Sequence, residues 1–424
     1  MILRPRKSAV LPFVIFPLVF SYVFSRAESW PPALPPASEA ALPLPALPQP
    51  AEWTVMYFIN GKNDLESSAM MDLNQLELVG SGAKVKITAE LGRMNGQEGD
   101  DQSEGGWTGV RRYLVTKDAD TARINSPVLQ DLGAADMGSW KELAAFINWS
   151  KANYPARRYA LVLWDHGNGW LPVDDANSGD FYNLKGFSLD DETGREFSLP
   201  QMAEALRVTG GVDFLMLDGC NMQMASVAYE LRGAARVLTA SEETEPGVIV
   251  RYAQYHRLLE AKPSMDAEEF AVNTVRTYRD FFTGLQGDNE GAPATQSALR
   301  LDRLAPLREK LDAWASAALK TDPAALRYAR AKAKLFGEWP EYRDLYDFIS
   351  LASSGSSDKE FKARGQEVLR YLKSDVVLEN WAQDSVSHGL AIYVPETYNP
   401  LYDGLAFSRD GLWDTFAKYM ATLK

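Results

Sequence analysis

The chain alternates between short apolar runs that stop at turn residues and longer stretches whose apolar positions fall three and four apart. The clearest run is Tyr159-Ala-Leu-Val-Leu-Trp164, six apolar or aromatic residues without a polar break, followed by Asp165-His-Gly-Asn-Gly-Trp170. Such a run reads as a strand covered on both faces, and the glycines at 167 and 169 end it and begin a loop. Val212-Asp-Phe-Leu-Met-Leu-Asp-Gly-Cys220 repeats the design: an apolar strand halts at a glycine and presents a reactive side chain. Further strands are expected at 53–60, 84–90, 110–115, 235–241 and 297–301, with a last core strand at 389–395. Helical spacing covers 66–78, 139–152, 201–208, 221–232 and 412–423, and 262–373 is mainly helical. Alternating strands and helices predict an α/β fold, a mostly parallel sheet flanked by helices with a helical insertion in the C-terminal half. In such a sheet, ligands and catalysts sit in the loops beyond the strands' carboxyl ends.

The N-terminal stretch departs from this pattern. Arg4, Arg6 and Lys7 precede an apolar run over 9–24, which ends in Ser25-Arg-Ala27. A basic start, an apolar run and small residues make 1–27 a signal peptide. The run is short for a spanning helix and is broken by Pro12 and Pro17, so a cleaved leader is expected, with a retained membrane anchor as the alternative. Residues 28–51 are dominated by proline and alanine and read as a linker. The folded domain is then 52–424, with 262–373 as an accessory region, in a secreted or periplasmic protein.

Composition narrows the function. With 46% hydrophobic and 24% charged residues the chain is an ordinary globular protein. Its net charge of −13 leaves no basic surplus to neutralise phosphates, which argues against nucleic-acid partners and mildly favours basic ones. Cys220 is the single cysteine, so no intramolecular disulfide forms. A lone thiol is either buried filler or a nucleophile, and its surroundings must decide.

Those surroundings favour a nucleophile. His166 and Cys220 end consecutive predicted strands, which are most often spatial neighbours. Thiol catalysis needs that pairing, because a nearby imidazole manages the proton of the thiol and later that of the leaving group. Each residue has a glycine beside it, so the backbone amides of Gly167 and Cys220 are placed to approach a carbonyl and stabilise an oxyanion. Asp165 adjoins His166, but strand alternation points it to the other face. His256 lies in a polar helix and is expected at the surface, and His388, ahead of a core strand, is expected to be structural. No metal-ligand cluster stands out. The acidic loop 171–199 carries Asp174, Asp175, Asp190 and Asp191 without the spacing of an EF-hand, so solvated carboxylates are expected and calcium is the alternative.

The blocks resemble those of the clostripain family of cysteine endopeptidases, whose fold is related to that of caspases and gingipains. Leu161-Val-Leu-Trp-Asp-His-Gly-Asn-Gly-Trp170 is similar to the family's histidine block, and Asp218-Gly-Cys-Asn-Met222 with Val227-Ala-Tyr-Glu-Leu231 to its cysteine block. Ala240-Ser-Glu-Glu-Thr-Glu-Pro-Gly247, Trp53-Thr-Val-Met56, Asn63-Asp-Leu-Glu66 and Gly389-Leu-Ala-Ile-Tyr-Val-Pro395 extend the likeness over nearly everything after residue 52. The resemblance implies a caspase-like fold, His166 as base and acid, Cys220 as nucleophile, and Asp218 as the floor of a pocket for arginine or lysine. It also implies self-cleavage in the loop between histidine and cysteine, where Lys185 and Arg195 are the basic residues. Gly219 and Asn221, which flank the cysteine, depart from the family's pattern and leave the pocket's shape open.

The expectation is therefore a secreted cysteine endopeptidase that cuts peptides after basic residues, needs no cofactor, and meets a membrane only if its leader is retained. Two alternatives stand beside it: a catalytically silent protein of the same fold that captures basic peptides, and a peptidase of non-basic specificity.

Overall fold

The computed structural model describes residues 50–97, 99–171, 186–246, 252–284, 293–337 and 339–424. The expected leader at 1–27 and nearly all of the expected linker lie outside these residues.

In chain order the strands are β1 (Ala51–Gly61), β2 (Val85–Arg93), β3 (Gly109–Leu114), β4 (Val128–Gly133), β5 (Ala156–Trp164), β6 (Phe187–Asp190) and β7 (Arg195–Phe197). They continue with β8 (Val212–Asp218), β9 (Ala235–Ala240), β10 (Thr295–Arg300), β11 (Leu335–Phe336), β12 (Trp339–Asp344), β13 (Val377–Ala382) and β14 (Ala391–Tyr393). Nine of them form one sheet in the order β13-β10-β9-β8-β5-β1-β2-β3-β4. The five central strands, β9 to β2, run parallel, and the two at each edge are antiparallel. The mostly parallel sheet flanked by helices is thus observed.

Alternation along the central strands divides the core. Leu161, Leu163, Leu215 and Leu217 face a layer that includes Phe146 and Met202 from the helices Trp140–Asn153 and Leu199–Val208. Ala160, Val162, Phe214 and Met216 face Leu73, Tyr255 and Phe270 from the helices Glu66–Glu77, Tyr252–Ala261 and Ala267–Gly284. Two-sided burial explains the unbroken apolar runs, and each fully buried large side chain contributes roughly 1.5–3 kcal/mol.

Three parts of the chain show what the pattern left open. The last core strand expected at 389–395 is observed as the buried Ala391–Tyr393, which pairs with β12 in a separate three-stranded sheet. The apolar run reports burial, which is complete there, and not which sheet provides it. The accessory region is mainly helical, and the strand expected at 297–301 is present as β10. Its β10 joins the main sheet between β9 and β13, and its β11–β12 hairpin reaches the loop after β9, where the Gly337 amide donates to Glu243 Oε1. Within the acidic segment, β6 and β7 form a hairpin short enough to leave no periodic signal.

Candidate active site

The two reactive residues stand where the central strands end. Strands β5 and β8 pair in parallel up to the Trp164–Asp218 match, and the Asp165 amide continues the ladder to the Asp218 carbonyl at 3.3 Å. His166 and Cys220 each lie two residues beyond that last pair. Their backbones then pass so closely that only glycine fits between them. A side chain at Gly167 would meet Cys220 O at 2.7 Å and Cys220 N at 2.9 Å, while one at Gly219 would meet Asp165 O at 2.7 Å and the Phe187 ring at 2.8 Å. The two strand-end glycines are thus required by packing, and they bring the segments carrying His166 and Cys220 into contact.

Cys220 is partly buried, and its Sγ accepts from the Glu245 amide at 3.4 Å. Burial pushes the thiol up to about 11; the Glu245 amide opposes this, and the carboxylates of Glu245 and Asp218 add to it. The next residue, Asn221, adopts a left-handed φ of +59°, a conformation asparagine tolerates better than most. Its side-chain amide donates to Glu242 O at 2.9 Å and its backbone amide to Glu243 O at 3.1 Å. That conformation gives the departure at 221 a structural role.

The imidazole of His166 is about one-third exposed and places Nε2 2.7 Å from Oδ1 of Asp64. Among the described residues it makes no hydrogen bond to the thiol. Asp165 faces the other way, as alternation requires, and one of its oxygens accepts from the Asn63 side chain at 2.7 Å and from the His166 backbone amide at 2.6 Å. The other accepts from Asn60 at 3.0 Å. Burial pushes this carboxyl well above the usual carboxylate range, against the three donors that favour its ionised form. Asp165 therefore holds the backbone beneath the histidine, not the imidazole. Asp64 went unassigned in the sequence although it lies inside the Asn63–Glu66 block, because nothing local joins positions 102 residues apart.

Asp218 ends β8 on the same face as Phe214 and Met216, is nearly buried, and accepts a hydrogen bond from the Tyr252 hydroxyl. Arg195 opens β7, pairs with Asp190 across the hairpin and forms an exposed ion pair with Asp136 at 3.1 Å. Lys185, Asp174 and Asp175 lie outside the described residues. Asp190 is fully buried and paired with Lys62 at 2.9 Å, which makes it a structural anion. Among the described residues no cluster of three or more histidine, cysteine or acidic side chains is arranged to hold a metal. His256, expected at the surface, is completely buried and hydrogen-bonds the Tyr57 hydroxyl at 2.8 Å. His388 donates its backbone amide to Asp344 and stacks on Tyr346.

A histidine and a cysteine at the ends of adjacent parallel strands, in the middle of a helix-flanked sheet, place the molecule in the caspase-like class of α/β folds. Within that class the chain belongs to the clostripain family, peptidase family C11, whose model matches residues 58–419. It is 23% identical to clostripain from Hathewaya histolytica over 187 residues, 42% of this chain and 36% of that protein, so the match spans about a third of the curated relative. Its fold is similar to that of a secreted C11 cysteine protease from Bacteroides thetaiotaomicron in complex with an irreversible peptide inhibitor, with a TM-score of 0.62 and 20% identity over 87% of this chain and 99% of that one. An inactive zymogen C11 protease from Parabacteroides distasonis is as similar, with a TM-score of 0.62 and 19% identity over 86% of this chain and 99% of that one. Among the described residues no helix is long and apolar enough to cross a membrane.

Proposed function

We propose that this protein is an exported cysteine endopeptidase that cleaves after arginine or lysine. The observation that carries the reading is the close approach of the Gly167 and Cys220 backbones, which sets a histidine and a thiol beside two strand-end amides. The thiol is neutral at rest, so attack begins with transfer of its proton to the His166 imidazole as sulfur bonds to the carbonyl carbon. The amides of Gly167 and Cys220 hold the oxyanion. Collapse breaks the C–N bond, the imidazole protonates the leaving amine, and water then hydrolyses the thioester with His166 as base.

Asp218 supplies the specificity. A carboxylate two residues before the nucleophile, fixed by Tyr252, offers a buried anion to a guanidinium or ammonium. Self-cleavage in the loop between histidine and cysteine falls to Lys185. Arg195 sits in a hairpin strand whose backbone would have to open before it could lie in a cleft as an extended substrate.

The test is steady-state hydrolysis of arginyl, lysyl and leucyl peptide amides by the full chain. Cys220→Ala and His166→Ala abolish turnover, and activity surviving in either rejects the mechanism. Asp218→Asn lowers kcat/KM for basic substrates by roughly 2–5 kcal/mol, about 30-fold to several thousand-fold, while leucyl turnover changes little. Binding of basic peptides without hydrolysis by the wild type identifies a capture protein instead, and indifference to Asp218→Asn identifies a peptidase of other specificity.

A further inference from the structure

Resting on the Cys220–His166 reading, we infer that Asp64 is a positioning residue for that chemistry: its carboxylate fixes the tautomer and orientation of the His166 imidazole and stabilises the imidazolium formed when the thiol gives up its proton. The direct observation is the 2.7 Å contact between Asp64 Oδ1 and His166 Nε2. A proton held on Nε2 by a carboxylate leaves the lone pair on Nδ1, the nitrogen that then takes the thiol proton.

A second observation shows that the pairing is built. Asp64 sits in the turn between β1 and the helix Glu66–Glu77, and Asn63 shapes that turn by accepting the Leu65 amide on its side-chain oxygen at 2.9 Å. The side-chain nitrogen of the same Asn63 donates to Asp165 Oδ1 at 2.7 Å and to Leu189 O at 2.9 Å. Asp165 Oδ1 also accepts the backbone amide of His166 at 2.6 Å. One buried carboxylate oxygen therefore ties the backbone of the histidine to the side chain that shapes the turn carrying Asp64.

Exposure points to a role in catalysis rather than in stability. The side chains of Asp64 and His166 are 67% and 31% exposed, and ion pairs so open to solvent add little to folding. The chemistry does need a stabilised imidazolium. The carboxylates of Asp218 and Glu245 lie near the sulfur and disfavour a thiolate, so proton transfer has to be driven from the imidazole side.

The experiment measures kcat, KM and melting temperature for Asp64→Asn and Asp64→Glu in the full chain on an arginyl peptide amide, over roughly pH 5–9. Asp64→Asn is expected to lower kcat about ten-fold with KM nearly unchanged. Asp64→Glu recovers most of the rate, and both variants melt with the wild type. Unchanged kcat in Asp64→Asn, a rise in KM in place of the fall in kcat, no recovery in Asp64→Glu, a gain in activity, or a loss that tracks a lower melting temperature would each overturn the assignment. His166→Ala in the same series separates the two readings: an active His166→Ala rejects the dyad itself, whereas an inactive one beside an unaffected Asp64→Asn rejects only the role of Asp64.

Discussion

Cys220 meets opposing demands. A nucleophile is most useful as thiolate, yet this sulfur is partly buried with two carboxylates nearby, which the hydrogen bond from the Glu245 amide offsets only in part. A thiol pushed up to about 11 is protonated at neutral pH, so the free protein is expected to react with iodoacetamide slowly at pH 7 and progressively faster into the alkaline range. A rate already at its plateau below neutrality would show instead a preformed thiolate–imidazolium pair. The proposed pocket for a basic side chain lies at the end of the same strand. Asp218 belongs to the face of β8 that meets Tyr252, so its carboxylate is fixed before any substrate arrives.

At the scale of elements, the site depends on how β5 and β8 end. Parallel pairing carries both strands to the same level, and a glycine next to each reactive residue lets the following turns touch. Gly219→Ala drives a methyl group against Asp165 O and the Phe187 ring, so it should destabilise the fold by roughly 1–3 kcal/mol in urea titration and lower kcat as well. Gly284, at an exposed helix end with open space around its Cβ position, is the control, and alanine there is neutral or stabilises by up to about 1 kcal/mol. Equal stability of the two variants would mean that the strand ends do not meet as closely as described. The helix Tyr252–Ala261 contributes at this scale too, since Tyr252 anchors Asp218 while Tyr255, His256 and Leu259 fill the core on the same stripe.

For the whole molecule, that buried histidine predicts a pH response. Burial pushes His256 down to about 3, far below the value near 6.5 that it takes in an unfolded chain. The unfolded state therefore binds a proton that the native state refuses. The stability is fully present above about pH 6.5 and is lost as pH falls toward 3, by about 1.4 kcal/mol per pH unit for this one group. His256→Gln keeps a partner for the Tyr57 hydroxyl without titrating, so the variant's unfolding free energy should fall less steeply than that of the wild type between about pH 6 and pH 3. Parallel slopes would place His256 in contact with solvent.

The sequence by itself determined the class of fold, the central strands, and the positions of His166 and Cys220, with their glycines, at the ends of two adjacent strands. Each of these is written in a local pattern: an unbroken apolar run marks burial on both faces, and a glycine next to a reactive side chain marks a strand end approached closely by another backbone. His256 was legible as well, because 252, 255, 256 and 259 form an i, i+3, i+4, i+7 stripe. The polar neighbours Arg251, Gln254 and Arg257 masked it in a reading by average polarity. Only the tertiary structure decided which partner each side chain meets. Asp64 reaches His166 across 102 residues, Tyr252 reaches Asp218 across 34, and the run at 389–395 joins the small sheet instead of the large one. Periodicity fixes which face a side chain takes, but pairing between distant segments depends on how the sheet and its loops close in space, and no local pattern carries that information.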